Sequence, residues 1–301
     1  MSKRTKVWLW IAAAVITVGC IAFCAVMTVL DWDFSKLSLA KYETRTYEIE
    51  EEFENVFVNT NATNVVFLPS SNGKTKVVCH EREQIRHDVQ IQDGTLVILE
   101  SDAENWTNFA VDKSKITVYL PKDTCKKITA RVSTGDIHCS VACSDMLELY
   151  TKTGNVHVEN ISSGPMNLLV STGKITIVDV DSGEYGVSAR VTTGEVHITD
   201  LKCRNFMSRS NTGDTTLDNV IASEKITIER TTGDVNLNGC DANEIDVKTD
   251  TGDITMSLLS GKVFTAKSNT GKVEVPDSIA DGGTCTVTTR TGNIQITIAN
   301  D

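Results

Sequence analysis

The chain has few aromatic residues, few prolines and an excess of negative charge. Aromatic residues make up 6% of its 301 residues, there are 4 prolines, and the formal net charge is −11. A surface that binds nucleic acid needs a basic patch to neutralise phosphates, and no such patch stands out, so nucleic acid is excluded as the main partner. Gly, Thr, Asn, Asp and Val are abundant instead, which favours short strands joined by tight turns.

Long hydrophobic runs are also missing, with one exception near the N-terminus. Val7 to Leu30 contains 24 residues without a charge, with three cations before it and two aspartates just after it. A helix of that length rises about 36 Å, enough to cross a hydrocarbon core of about 30 Å. We predict a transmembrane helix over residues 7–30. Because the positive side of a transmembrane helix stays in the cytoplasm, we expect residues 1–6 in the cytoplasm and the C-terminal part on the outer side of the cell membrane.

Two other interpretations of this segment stay open. A cleaved signal peptide usually has a shorter apolar run and a small-x-small exit site, which is not clear here. A lipoprotein signal would use Cys20 after Thr17-Val18-Gly19, but Thr17 fits poorly and the apolar run continues past Cys20. Length and flanking charges favour an uncleaved anchor.

Cysteine spacings typical of zinc sites are absent from the sequence. Of the nine cysteines, two lie in the apolar run and seven follow it, and none forms a CxxC pair. An odd number of cysteines cannot all pair within one chain. We predict that most of the seven are small apolar core residues.

A Thr-Gly pair organises the chain from residue 125 onward and recurs nine times. Successive glycines are separated by 19, 19, 21, 19, 20, 19, 19 and 21 residues. A nearly constant period of this size is typical of a solenoid whose coils accept an extra residue at a corner. The glycines are Gly135, Gly154, Gly173, Gly194, Gly213, Gly233, Gly252, Gly271 and Gly292.

Apolar residues alternate with polar ones on both sides of each Thr-Gly pair. They lie seven, five and three positions before the Gly, and two and four positions after it. Period-two alternation indicates strands with one face inward. We therefore predict an all-β fold, a parallel β-helix or β-solenoid of about nine regular coils of ~20 residues over residues 125–301. A third inward position, usually after a corner residue, is predicted at Ile161, Val180, Leu201, Val220, Cys240 and Leu259.

The segment between the apolar run and the repeats is less regular. Residues 31–44 read as a polar stalk, and residues 45–124 as an irregular β-rich cap that includes the first imperfect coils. Asn72-Gly73 and Asp93-Gly94 are typical of hairpin turns. The strands predicted in this cap are Asn55–Val58, Asn64–Leu68, Lys76–His80, Val89–Ile91, Leu96–Glu100 and Ile116–Leu120.

This order of features resembles a known family. A basic leader, an apolar anchor, a strand ending in Leu120-Pro121 and repeated Thr-Gly-Asp-Ile/Val coils are similar to the bacterial "putative adhesin" β-strand-repeat family. The resemblance covers about residues 45–298. It implies a membrane-anchored envelope protein, some members being linked to envelope-stress operons, and it supplies no catalytic residues.

Outward positions of stacked coils form ladders in which sites can arise without a linear motif. One residue after the Gly, four consecutive coils carry acids, for which we predict a strip that binds Ca²⁺ or a basic partner. The simpler interpretation of these acids is that they are solvated side chains at turns, where Asp is favoured. We call this set the acidic strip: Glu195, Asp214, Asp234 and Asp253.

Three residues after the Gly, His138 and His157 fall on adjacent coils. Two histidines can share a zinc ion if a third ligand, such as Asp136, comes from a neighbouring position. Exposed polar residues on a strand face are the simpler interpretation. No other metal or cofactor is predicted.

The expected function is a non-catalytic adhesion or binding scaffold at the cell envelope, contacting a cell-wall polymer or an envelope protein. One alternative is an envelope-stress signalling accessory that acts through a membrane partner. A second is a polysaccharide lyase or hydrolase, with Glu195, Asp214 and Asp234 as acid and base. The enzyme is disfavoured because no long loop interrupts the coils to build a cleft.

Overall fold

A long apolar helix begins the described part of the chain. The computed structural model describes residues 3–32, 41–101, 114–121 and 125–299. Helix α1 covers Lys3–Val29, and its segment Thr5–Val29 has a mean hydropathy of 2.5 over the most apolar window. By length and composition α1 can cross a membrane, whether as an anchor or as a signal sequence. An apolar helix is thereby confirmed, and its orientation stays a prediction.

The rest of the described chain is β-structure and forms a unit separate from α1. The first eleven strands are β1 (Tyr42–Ile49), β2 (Asn55–Thr60), β3 (Asn64–Pro69), β4 (Thr75–Arg82), β5 (His87–Gln92), β6 (Thr95–Glu100), β7 (Lys115–Leu120), β8 (Lys127–Thr134), β9 (Ile137–Cys139), β10 (Met146–Thr153) and β11 (Val156–Ser162). The other eleven are β12 (Met166–Thr172), β13 (Ile175–Asp181), β14 (Gly186–Thr193), β15 (Val196–Thr212), β16 (Thr215–Thr232), β17 (Val235–Thr251), β18 (Ile254–Leu258), β19 (Val263–Thr270), β20 (Val273–Glu274), β21 (Thr284–Thr291) and β22 (Ile294–Ile298).

The repeated strands pair in parallel with their equivalents in the next coil, which confirms the predicted β-solenoid. Pairing is in register with the Thr-Gly repeat: Leu149 lies between Ala130 and Leu168 on the sheet that precedes the turn. On the sheet that follows the turn, Val158 lies between Cys139 and Ile177. β15, β16 and β17 are long because each continues around a corner from one coil into the next.

The order of coils along the stack differs from chain order at both ends. β2 and β3 lie between β6–β7 and β8–β9. At the other end, β21 and β22 lie between β17–β18 and β19–β20. Simple succession of coils, implied by the repeat spacing, is therefore wrong at the ends. The last coil in the sequence, β21–β22, therefore lies inside the stack, and the coil before it, β19–β20, is the outermost one at this end.

The N-terminal end is closed by antiparallel strands, and the six strands predicted there are confirmed. Asp93 and Gly94, with φ of 48° and 69°, join the antiparallel hairpin β5–β6 as predicted. Asn72-Gly73 does not join a hairpin, which corrects the prediction. β3 pairs in parallel with β7, and β4 pairs antiparallel with β7. The two strands that this turn connects are therefore not paired with each other, because β7 lies between them.

Each Thr-Gly turn requires glycine for two reasons. At Gly194 the backbone φ is +136°, a region that L side chains rarely adopt. A Cβ atom there would lie 1.8 Å from the carbonyl oxygen of Gly173 in the preceding coil. The Gly194 N–H donates to Thr212 C=O in the following coil at 2.8 Å. The Thr-Gly repeat therefore marks the positions where the backbones of successive turns stack too closely to accept a side chain.

The core is a continuous column of inward side chains, as the alternation predicted. The corner residues before the third inward position have φ of 51° to 55°, which Asn and Asp tolerate better than most residues: Asn160, Asp179, Asp200 and Asn219. The third position is wrong for Leu259, which is 48% exposed. The register shifts near Cys240, so Leu258 pairs with it and takes the buried place.

The seven cysteines of the β-structure are free and buried, as predicted for core residues. Burial raises the pKa of the thiols at Cys79, Cys139 and Cys285 to about 12. Cys139 and Cys143 do not pair with each other. The thiols therefore act as small apolar groups that fill the column.

Candidate functional site

The acidic strip lies on the outer face of the turns, where its carboxylates are used by the fold. Asp214 Oδ1 accepts the backbone N–H of Asp234 at 2.8 Å, and Asp234 Oδ1 accepts that of Asp253 at 2.8 Å. Asp253 Oδ1 accepts the N–H of Asn293 at 2.6 Å. Glu195 is too long for this bond and its carboxylate lies 3.4 Å from Lys174 Nζ. The structure thus brings the four acids into one line, with a structural role for three of them.

The same bond recurs outside the strip wherever Asp or Asn follows the Gly. Asp136 Oδ1 accepts the N–H of Asn155, and Asn64, which follows Thr63 instead of a Gly, accepts the N–H of Asp136 with its Oδ1 in the same way. Asn155 Oδ1 accepts the N–H of Lys174. Because an amide serves as well as a carboxylate, the position selects an oxygen acceptor rather than a negative charge. Asp214 and Asp234 are therefore weaker candidates for the acid and base of an enzyme, because each already uses one carboxylate oxygen in this hydrogen bond.

His138 and His157 meet on adjacent coils, as their ladder position predicted. Their ring centroids lie 5.0 Å apart. Glu159, two residues further along β11, bridges them: its Oε1 lies 3.2 Å from His138 Nε2 and its Oε2 lies 3.2 Å from His157 Nε2. Desolvation, followed by the neighbouring His157, lowers the pKa of His138. The third group is therefore Glu159, while Asp136 belongs to the turn ladder.

A second cluster of chemically active side chains lies buried in the cap. Cys79, Glu81 and His87 place their ligand atoms within 4.8 Å of one another. His87 uses both its backbone N–H and its Nδ1 on Glu81 Oε2, each at 2.7 Å, and its Nε2 lies 3.2 Å from Thr60 Oγ1. Arg45 Nε lies 3.8 Å from Glu81 Oε1. The cluster is a buried polar network that ties β4 and β5 to β2 and β1, although Glu81 Oε1 has no hydrogen-bond partner within it.

A column of arginine and apolar side chains runs along the outer face of the sheet that precedes the turns. Cross-strand pairing stacks one residue from each of five successive coils. Arg131 lies over the ring of Phe57 at 5.9 Å, and Arg209 Nε lies 2.8 Å from Glu229. Among the described residues Arg190 has no ion-pair partner. We call this set the arginine column: Arg131, Tyr150, Leu169, Arg190 and Arg209.

The sequence interpretation missed this column because it examined outward positions only after the Gly. The signal was present four residues before each Gly, where five successive coils read Arg, Tyr, Leu, Arg, Arg. Beside the column, a hydrogen bond from Lys127 lowers the pKa of the Glu148 carboxyl, and the two groups lie 2.8 Å apart; the charge of Arg131 lowers the same pKa. Glu148 therefore stays ionised and shares its negative charge between Lys127 and Arg131.

An open groove of about 860 Å³ lies at the N-terminal end of the solenoid. Its lining includes Lys74 and the acids Glu48, Glu54, Asp93 and Glu50-Glu51-Glu52. The groove belongs to the cap rather than to the repeated coils.

The fold and these sites define a repeat-built, parallel β-solenoid with polar side-chain ladders on its faces. The chain belongs to the Toastrack DUF4097 family, whose model matches residues 53–203 and 184–301. This confirms the resemblance on which the sequence interpretation relied. A comparison with curated proteins finds no match.

Several solved bacterial structures are similar to this chain. The putative lipid binding protein of Parabacteroides distasonis is 12% identical, with a TM-score of 0.57, over 85% of this chain and 97% of that one. A putative adhesin of Bacteroides fragilis is 19% identical, with a TM-score of 0.47, over 85% and 97%. A putative adhesin of Parabacteroides merdae is 13% identical, with a TM-score of 0.46, over 87% and 98%.

Proposed function

We propose that this chain is a membrane-anchored, non-catalytic scaffold whose solenoid binds an extended anionic polymer of the cell envelope. The single observation that carries the proposal is the arginine column. It provides three guanidinium groups, of which that of Arg209 is ion-paired with Glu229, together with the side chains of Tyr150 and Leu169 on one parallel sheet, in a protein whose net charge is −11.

The spacing of the column suits a repeating ligand. Neighbouring strands lie about 4.8 Å apart, so five coils span about 19 Å from Arg131 to Arg209. Guanidinium groups bind carboxylate and phosphate groups in a planar, bidentate way. The half-buried Tyr150 and the exposed Leu169 lie between Arg131 and Arg190 and offer apolar area to a sugar ring or a polymer backbone.

A scaffold also fits what the acids do. Three of the four residues in the acidic strip accept backbone hydrogen bonds from the next coil, a structural use that needs no substrate. The repeated coils carry side chains on regular strands, whereas catalytic groups are usually carried by loops that shape a cleft.

Helix α1 supplies the membrane attachment in this proposal. Its 25-residue apolar segment crosses a bilayer, and the cations before it keep the N-terminus in the cytoplasm. The solenoid then lies outside the membrane, where envelope polymers are within its reach.

Pelleting of the full-length protein in detergent micelles with isolated peptidoglycan sacculi tests the proposal. Sacculi that keep their covalently attached anionic polymers should retain the protein, and sacculi stripped of these polymers should not. The supernatant is assayed for released sugar, and none is expected. Equal retention on stripped sacculi would contradict an anionic ligand, and released sugar would contradict a non-catalytic role. Retention that requires calcium would assign binding to the acidic strip and overturn the column as the site.

A further inference from the structure

We infer that His138, His157 and Glu159 form a zinc-binding site on the face of the solenoid that follows the Thr-Gly turns. This site is independent of the arginine column, which lies on the sheet before the turns. Its three ligand atoms lie within 4.8 Å of one another, and all three residues are half-buried.

The geometry of the three groups fits a tetrahedral ion. In a tetrahedral zinc site with bonds of 2.0–2.1 Å, ligand atoms are about 3.3 Å apart. His138 Nε2 lies 3.2 Å from Glu159 Oε1 and His157 Nε2 lies 3.2 Å from Glu159 Oε2, so the two nitrogens contact different oxygens of one carboxylate. Parallel pairing holds the site together, because His138 and His157 are cross-strand partners and Glu159 lies on the same face of β11 as His157.

The donor set selects the kind of metal. Two imidazole nitrogens and one carboxylate suit zinc and other borderline transition metals, whereas calcium prefers oxygen ligands alone. Ser140 Oγ lies 2.8 Å from His138 Nε2, and this part-buried hydrogen bond is exchanged for the metal bond when the ion binds. Three protein ligands leave a fourth position open to water or to a donor group of a binding partner.

The buried cap cluster is a weaker candidate for the same ion. In it, His87 Nδ1 and its backbone N–H both bond Glu81 Oε2, and His87 Nε2 contacts Thr60 Oγ1. These bonds satisfy the histidine without a metal. At the His138 cluster the two rings share one carboxylate at the solvent boundary, so zinc can replace that contact without opening the core.

The chain provides a matched control for the experiment. His197 occupies the same ladder position two coils further along, where its cross-strand partners are Thr176 and Thr216. It is half-buried like the other two but has no second histidine beside it. A metal that binds any surface histidine would use His197, and a metal that needs the cluster would not.

Zinc binding is measured by isothermal titration on chelator-treated, full-length protein in detergent micelles. Cys20 and Cys24 of α1 are exposed thiols and are replaced by serine in every sample. We expect one zinc ion per chain. His157→Gln and Glu159→Gln should each weaken binding at least about tenfold, the lower limit for losing even an outer-sphere partner of a metal. His197→Gln should leave the affinity within about twofold.

A cobalt spectrum adds a readout of geometry. Co²⁺ bound in place of zinc should show the intense visible absorption of a four-coordinate site, and this absorption should disappear in His157→Gln. Unchanged zinc affinity in both His157→Gln and Glu159→Gln would overturn the inference. Loss of binding in Cys79→Ala, with normal affinity in His157→Gln, would place the ion in the cap and equally contradict it.

Discussion

Replacing a turn glycine in the middle of the stack should destabilise the solenoid far more than replacing a surface glycine that also has a positive φ. Gly194→Ala places a Cβ atom 1.8 Å from the carbonyl oxygen of Gly173, at a φ of +136°. Backbone strain of this kind costs about 1–3 kcal/mol, and forcing an extra carbon into a packed region costs about 1–3 kcal/mol more. We therefore expect a loss of about 4 kcal/mol in the free energy of unfolding.

Gly183 provides the control, because it also has a positive φ, of +50°, but its nearest neighbour is Asp181 Oδ1 at 4.0 Å. Gly183→Ala should cost only the left-handed backbone penalty of about 1–2 kcal/mol. Urea unfolding of the full-length protein, followed by far-UV circular dichroism, measures both variants. A difference near 2.5 kcal/mol with a slope of about 3 kcal/mol/M separates the midpoints by about 0.8 M. Equal midpoints for the two variants would refute the role assigned to backbone stacking.

Three further results are expected. Arg230 points into the core and donates to Gly213 C=O while its Nε and one terminal nitrogen lack partners, and burial lowers its pKa to about 10. Arg230→Thr, which copies Thr249 of the next coil, should therefore increase the free energy of unfolding by about 1–2 kcal/mol and raise the urea midpoint. A lowered midpoint would show that the guanidinium stabilises the fold. Asp234→Asn should keep the hydrogen bond to Asp253 and change stability by less than about 0.5 kcal/mol, whereas Asp234→Ala should lose about 1 kcal/mol in the same assay; equal losses would contradict the oxygen-acceptor role. In native Cys20→Ser, Cys24→Ser protein, the seven buried thiols should not react with a maleimide until urea unfolds the chain, and fast labelling in buffer would contradict their burial.

The coils could be predicted from the sequence because each structural constraint repeats. Gly194 and its equivalents mark a turn that accepts no Cβ atom, and the alternation around them marks the inward faces. Asn160 and the other corner residues were recognisable by type, since a left-handed corner favours Asn, Asp or Gly. A local requirement that recurs about nine times leaves a signal that a single sequence reveals.

The ends of the stack could not be predicted, because a repeat fixes the shape of a coil and not its place. β21 and β22 match the coil register as well as β19 and β20 do, so either pair fits against β17 and β18. Register also decided the case of Leu259, where one shifted residue near Cys240 exchanges a buried position for an exposed one.

The candidate sites depended on neighbours that are distant in sequence. The alignment of positions after the Gly predicted that His138 and His157 are neighbours. Glu159 belongs to a different ladder, and only the structure shows that its carboxylate reaches both rings. The acidic strip was also aligned as predicted. Its chemistry was not, because the hydrogen bond between Asp214 and the backbone of Asp234 is invisible in the sequence.

The most direct test of the account is the affinity of the full-length protein for polygalacturonate, a soluble carboxylate polymer, when equal numbers of cations are removed from two different places. The column variant carries Gln at positions 131, 190 and 209. The control variant replaces Lys174, Lys202 and Lys272, which lie outside the column, with Gln. Each charge-assisted hydrogen bond contributes about 1.5–3 kcal/mol, so the column variant should bind at least about tenfold more weakly than the control. Equal affinities for the two variants would show that net charge alone attracts the polymer, and would contradict the arginine column as the binding site.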